Sequence, residues 1–431
     1  MLHDNLGINE QGHLTFCNKD TVVLAKKYGT PLMLLDEDGI RKQIRRYLRA
    51  MKWSFGESSF PLYAGKALCI KEIYRIAKEE GIGVDLVSSG EIYTALSVGF
   101  PMEKAFFHGN NKTDQDVKYA IDNKVGYFVT DNFEELDSIN AYAYSKGVVQ
   151  KVVLRLTPGI DPHTHQAIST GKVDSKFGTA IETGQADIIV KYALDLSNVE
   201  LVGFHCHIGS QIFDIKPFTD AADIMIRYIG KVKSEFGKEI TLLNLGGGFG
   251  VRYVESDPTI DYEDNILRIS EHIKDYCKDN GIKMPLIVME PGRSIVAANG
   301  LTLYTAGSLK EITGYKNYVS IDGGMGDNPR YALYKSSYTV LNAGKMNSPK
   351  DYKCVVAGRC CESGDLIQED VLMAKPTRGD TLAVLVTGAY NYSMASNYNR
   401  LPRPPILAID GDQEKIVVKR ESFDDLIRND V

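Results

Sequence analysis

The sequence has no apolar run long enough to span a bilayer. Its first twelve residues, MLHDNLGINEQG, lack the basic stretch followed by an apolar segment that marks an exported chain. A soluble, cytoplasmic protein is the expectation. Long runs of like charge are also missing, and a formal charge of −6 is spread along 431 residues, which argues against nucleic acid or an anionic membrane surface as partner. Cysteine is sparse and unpatterned: there are 7, two of them adjacent (Cys360 and Cys361), with no CxxC pair at zinc-like spacing. An odd number without such spacing fits free thiols in a reducing compartment. No short internal repeat or low-complexity linker interrupts the chain.

What is present is an ordinary globular composition, 43% apolar and 25% charged, in a chain longer than one hydrophobic core usually serves. Two domains are expected. Over residues 36–291, short apolar runs bounded by Gly, Asp or Asn alternate with helical periodicity. In the stretch 217–236, for example, Phe218, Ala221, Ala222, Met225, Ile229, Val232 and Phe236 fall on one face. Eight such runs, the first at 61–64 and the last at 286–289, predict either a (β/α)8 barrel or an open doubly wound sheet. Periodicity does not separate the two. The barrel is favoured because nearly every polar or glycine-rich cluster follows the C-terminal end of a proposed strand, and in a barrel those ends share one mouth. Residues 292–431 are β-rich and predict a second, mainly antiparallel sandwich or barrel domain. Residues 1–35, with a strand-like stretch at 32–35, are expected to join it, making that domain discontinuous.

Five clusters carry chemistry. Lys66, in Tyr63-Ala64-Gly65-Lys66-Ala67, follows the first strand among small and apolar neighbours, and a partly desolvated lysine can form a Schiff base. Taken alone, it would be read as a surface lysine. Gly246, Gly247 and Gly248, after the seventh strand, would let backbone N–H groups approach an anion, at the place where barrels commonly bind phosphate. Glu290-Pro291-Gly292-Arg293, after the eighth strand, offers a carboxylate for a protonated pyridine nitrogen and an arginine for an anion. An ordinary salt bridge is the plainer reading. His205-Cys206-His207, leading to Ser210, suggests an imidazole stacked on a flat cofactor whose phosphate Ser210 touches. No metal is expected here or at His163 and His165, for want of an accompanying ligand set. The fifth cluster, in the β-rich part, is Cys361-Glu362-Ser363-Gly364-Asp365 with Gly388-Ala389-Tyr390: a thiol to donate a proton beside a carboxylate to bind a cation.

Together the motifs YAGKA, GVDLVSSGE, HGNNK, TPGIDPHTH, DSKFG, HCHIGSQ, GGGFG, EPGR, CESGD and GAYNYSMASNYN run in order through nearly the whole chain. In this the chain resembles the barrel-type (fold type III) pyridoxal phosphate-dependent decarboxylases, and within them the branch acting on diaminopimelate. The resemblance implies an alanine racemase/ornithine decarboxylase-like architecture, pyridoxal 5'-phosphate as cofactor, and a homodimer with shared active sites. It makes Lys66 the Schiff-base lysine, His207 the ring-stacking group, Glu290 the partner of the pyridine nitrogen and Cys361 the proton donor. It places Asp85, Ser210, Gly246, Gly247, Gly248, Pro291, Gly292, Arg293 and Tyr390 at or beside the cofactor. Arg293, Arg330, Tyr334, Glu362 and Tyr390 match substrate contacts, and Lys176 would pair with Asp365 of the partner. The implied activity is decarboxylation of meso-2,6-diaminopimelate to L-lysine, the last step of lysine biosynthesis. Open alternatives are a decarboxylase of D-lysine, ornithine, arginine or carboxynorspermidine, and a cofactor-binding homologue without turnover. Two departures stand out: Gly65 replaces a bulkier residue of YAxKA, and Arg359-Cys360 precede CESGD where the family often has proline and an apolar residue.

Overall fold

The computed structural model describes residues 1–161 and 175–431. Two compact units emerge. One comprises 43–250 and 259–292; the other comprises 1–42, 251–258 and 293–431. Sequence had set the limits at 36 and 291, so residues 36–42 and the inserted loop 251–258 fall with the β-rich unit instead. Among the described residues no helix is long and apolar enough to cross a membrane.

The first unit is a closed barrel of eight parallel strands: β1 (Phe60–Ala64), β2 (Gly83–Leu86), β3 (Ala105–Phe107), β4 (Tyr127–Thr130), β5 (Gln150–Thr157), β6 (Val199–His205), β7 (Leu242–Asn244) and β8 (Leu286–Met289). Pairing of β8 with β1, through Val288–Phe60 and Met289–Pro61, closes it and rules out the open sheet. The interior is filled by Leu62, Phe106, Val129, Val153, Val202, Leu242 and Val288, side chains from seven of the eight strands. It is thus a packed core rather than a channel, and truncating Phe106 to Ala would cost about 3–5 kcal/mol. The helix Lys216–Phe236 shows why the outer ring forms. Pro217 starts it, Gly237 ends it at φ 67°, and Phe218, Ala221, Ala222, Met225, Ile229 and Val232 are buried. Phe236, at the fraying end, is only half-buried.

The second unit is built around the long strand Gly300–Glu311. Its first half pairs antiparallel with Leu32–Asp36 and Thr381–Leu385; after a register shift between Ala306 and Leu309 its second half pairs with Asn317–Ile321. Most of this nine-stranded sheet is antiparallel, but Leu32–Asp36 with Ile406–Asp410, and Asn317–Ile321 with Tyr352–Ala357, run parallel. The strand Leu32–Asp36 is therefore an interior member of the sheet.

Candidate active site

The barrel strands deliver their polar residues to one mouth. Lys66 sits on a 3-10 turn, Gly65–Ala67, directly after β1. The expected partial desolvation is not seen in the single chain, where Lys66 is exposed. Gly65 has a definite neighbour, since a Cβ there would lie 2.5 Å from the hydroxyl of buried Tyr74. The departure at Gly65 is therefore matched by Tyr74, which fills the space.

The glycine loop after β7 is held by its neighbours. Gly246 and Gly248 adopt φ +66° and +121°, where only glycine is unstrained. A Cβ on Gly247 would fall 2.2 Å from the carbonyl oxygen of Glu290, and one on Gly248 would fall 2.5 Å from that of Gly209. The loops after β6 and β7 are also joined, with the Ile212 N–H donating to Gly248 O at 3.0 Å and the Gly250 N–H to Ile212 O at 2.9 Å. Backbone crowding from two sides thus explains the run of glycines, and it leaves Ser210 and Gly246–Gly248 on adjacent rigid loops. Pro291 and Gly292 are buried after β8; a Cβ on Gly292 would lie 2.9 Å from that of Ala64.

Glu290 is 5% exposed and surrounded by donors. Asn244 Nδ2 donates to Oε1 at 2.6 Å, and His205 Nε2 lies 3.3 Å from Oε2. His108 Nε2 is 2.8 Å from Oε1, though its N–H is not aligned on that oxygen, and Asp85 Oδ1 lies 3.8 Å from the same nitrogen. Burial alone would raise the Glu290 pKa, but the two imidazoles outweigh it and hold the group well below the usual carboxylate range. Asp85, also buried, moves the other way: desolvation raises it, and His108, Lys66 and Arg155 only partly offset this. His207 is pushed well below its ordinary value by burial, then by the nearby cations Lys66 and Arg155, so its ring is neutral. Its Nδ1 accepts the Gly247 N–H at 3.3 Å.

His205 and His207 therefore do not act as a pair, since one turns to Glu290 and the other to the glycine loop. Donor atoms of His108, His205 and Glu290 do lie within 4.8 Å of one another, a spacing that suits an ion as well as hydrogen bonds. His163 and His165 lie outside the described residues.

The β-rich unit gathers a second set. Arg293, 5% exposed, donates to Tyr253 Oη at 2.8 Å, and its guanidinium lies 4.7 Å from the Tyr390 ring centre. Arg330, equally buried, lies 5.5 Å from the same ring and 5.2 Å from that of Tyr334. Tyr390 is held at φ +58°, and Tyr338 packs edge-on to Tyr253 while its hydroxyl accepts from Asn391 at 3.1 Å. Cys361 and Glu362 are exposed; Glu362 accepts the Gly364 N–H at 3.1 Å and the Ser363 hydroxyl at 3.3 Å. Asp365 is buried, accepting the N–H of Met325 at 2.5 Å and of Cys360 at 2.6 Å. Lys176 is exposed, its ammonium 4.7 Å from the Phe177 ring centre.

Sequence reasoning gave no role to His108, Asn244, Arg155, Tyr253 or Tyr338. The first two stand at the ends of β3 and β7, so the strand-end rule that selected Lys66 and Glu290 was signal enough. Tyr253 and Tyr338 carried none.

Comparison with known proteins bears on all of this. Residues 40–297 match the family model described as pyridoxal-dependent decarboxylase, pyridoxal binding domain. The diaminopimelate decarboxylase of Bacillus subtilis (strain 168) is 41% identical over 430 residues, covering 100% of this chain and 98% of the relative. That of Staphylococcus aureus (strain COL) is 44% identical over 423 residues, 98% of each. The crystal structure of diaminopimelate decarboxylase from M. jannaschii in co-complex with L-lysine superposes with a TM-score of 0.93 at 35% identity, covering 100% of this chain and 99% of the other.

Proposed function

We infer that this chain, which belongs to the pyridoxal-dependent decarboxylases, uses pyridoxal phosphate to convert meso-2,6-diaminopimelate to L-lysine and carbon dioxide, the last step of lysine biosynthesis. The observation that carries this reading is the full-length relationship to diaminopimelate decarboxylases. The residues present suit the cofactor. The glycine loop is a backbone cradle that any Cβ would disrupt, and Glu290 is an ionised, buried carboxylate at the same mouth as Lys66.

When bound, pyridoxal phosphate supplies an electron sink for the pair left behind as the substrate carboxylate departs. Lys66 would hold the cofactor through its side-chain amine. Backbone N–H groups of Gly246–Gly248, with Ser210, Arg293 and Tyr390, would hold the phosphate; Pro291 and Gly292 shape the adjoining turn. Glu290, with Asp85 near it, would serve the ring nitrogen, and His207, neutral, would offer a flat face for stacking. Cys361 returns a proton to the substrate carbon. At the far end of the substrate, Arg293 and Arg330 with Tyr334 and Tyr390 read a carboxylate, and Glu362 reads the ammonium.

The enzyme works in the cytoplasm as a homodimer, the CESGD loop completing the partner's site. Exposure of Cys361 and Glu362 in the single chain supports this, as both would otherwise face only water. Lys176 of one subunit pairs with Asp365 of the other. Two backbone N–H groups fix that carboxylate in place. Borohydride reduction and peptide mapping test the anchor: a pyridoxyl label is expected on Lys66, and a label on another lysine overturns the assignment.

A further inference from the structure

Glu290 has company that its assigned role does not explain. A carboxylate 5% exposed would lose its charge unless donors met it, and here Asn244 and His205 bond to it from two strand ends, while a third nitrogen, His108 Nε2, lies 2.8 Å away without an aligned hydrogen bond. His205 carries a further mark: its Nδ1 is buried and has no hydrogen-bond partner among the described residues. A doubly protonated ring would bury an unpaired N–H there, whereas the neutral ring with its proton on Nε2 leaves only a bare acceptor and aims its one donor at Glu290. Burial likewise lowers the His205 pKa to about 4, with Glu290 opposing. Asp85 is the contrast. It is as deeply buried, yet among the described residues its Oδ1 has no hydrogen-bond partner, and His108 Nε2 lies 3.8 Å from it. Of two carboxylates around one imidazole, the well-served one keeps the charge and the starved one takes the proton.

We propose that His108 and His205 are positioning residues: with Asn244 they fix the Glu290 carboxylate and reserve the negative charge of the barrel mouth for it rather than for Asp85. Selection of a protonated pyridine ring then belongs to the set of four side chains, not to Glu290 alone. Other titratable groups facing the set are Lys66 beyond β1, Glu91 after β2, Arg155 on β5, and Cys206 and His207 beyond β6; the two cations favour ionisation of Asp85 and so work against this division. The inference rests on reading Glu290 as the partner of the ring nitrogen.

Binding to the full-length apoprotein tests it without turnover. Dissociation constants are measured for pyridoxal phosphate and for its carbocyclic analogue, in which carbon replaces the ring nitrogen. The native protein should prefer the former, and Glu290→Gln should erase the preference. His205→Leu should shrink it roughly ten- to hundred-fold, the weight of one hydrogen bond to a charged group, and His108→Leu should shrink it as well. His205→Gln, which keeps an N–H donor and is the gentler change for folding, should recover most of it. Loss in Glu290→Gln with native preference in both leucine variants overturns the inference and leaves the Glu290 reading standing; an unchanged preference in Glu290→Gln overturns that reading itself. If His205→Gln behaves like His205→Leu, packing and not donation is at work, and the proposal fails. It also fails if the apoprotein takes up one Zn2+ per chain and loses it in either leucine variant, which would make the trio a metal site.

Discussion

The barrel mouth and the arginine–tyrosine cluster of the β-rich unit solve opposite electrostatic problems. In the barrel a negative charge is buried, and each oxygen of Glu290 accepts one hydrogen bond from its own unit, from Asn244 and from His205, with His108 Nε2 2.8 Å away. In the β-rich unit two positive charges are buried mainly against aromatic faces, and Arg330 Nε has no hydrogen-bond partner among the described residues. The first charge is met by side chains of its own unit. Arg330 of the second is short of acceptors, which is the condition expected of a site that an anionic ligand completes. Cofactor chemistry and substrate reading should therefore separate under mutation.

Breaking the barrel side has the largest expected effect. Lys66→Ala should abolish decarboxylation and leave purified protein without the pyridoxyl label on reduction; retained activity would remove Lys66 from the mechanism. Next comes Arg330→Ala, or Glu362→Ala. Removing one partner of a desolvated charge pair costs about 2–5 kcal/mol, so kcat/KM should fall roughly 30-fold to several thousand-fold. Cofactor content, read from the absorbance of the purified protein, should remain near native in both. A parallel loss of cofactor would erase the distinction between the two regions.

Mixing Lys66→Ala with Cys361→Ala protein sharpens the comparison across subunits, since a hybrid dimer should regain one intact site. Absence of recovery despite demonstrated subunit exchange counts against shared sites. A smaller effect is expected at Gly65, where an added Cβ meets the Tyr74 hydroxyl at 2.5 Å. Gly65→Ala should destabilise the chain by about 1–3 kcal/mol, seen as a lowered Tm, and Tyr74→Phe in the same protein should relieve most of that. If the double variant is no more stable than Gly65→Ala, the two residues are not coupled.

Much of the fold was legible because each barrel strand is a short apolar run ended by a residue that strands disfavour, such as Gly65 after β1 or Asn244 at the end of β7. The loop 251–258 was not, because nothing local to Val251 or Tyr253 encodes which unit its side chains join; Tyr253 finds Arg293, 40 residues on. At the site, motif residues such as Lys66, Gly246 and Glu290 stood out by type and spacing. His108 and Asn244 are single polar residues whose meaning appears only when β3, β6, β7 and β8 bring them to one carboxylate. The exposure of Lys66 was hidden for a similar reason, since apolar sequence neighbours do not tell whether a side chain is exposed.

Carbon dioxide release from the separate diaminopimelate stereoisomers, D-lysine and L-ornithine, at equal cofactor loading, identifies the substrate. The meso isomer should be the efficient substrate, with L-lysine as product and little release from the others. Equal turnover of D-lysine or L-ornithine, together with a nearly silent Arg330→Ala, would contradict the reading of the β-rich cluster as a distal-carboxylate site.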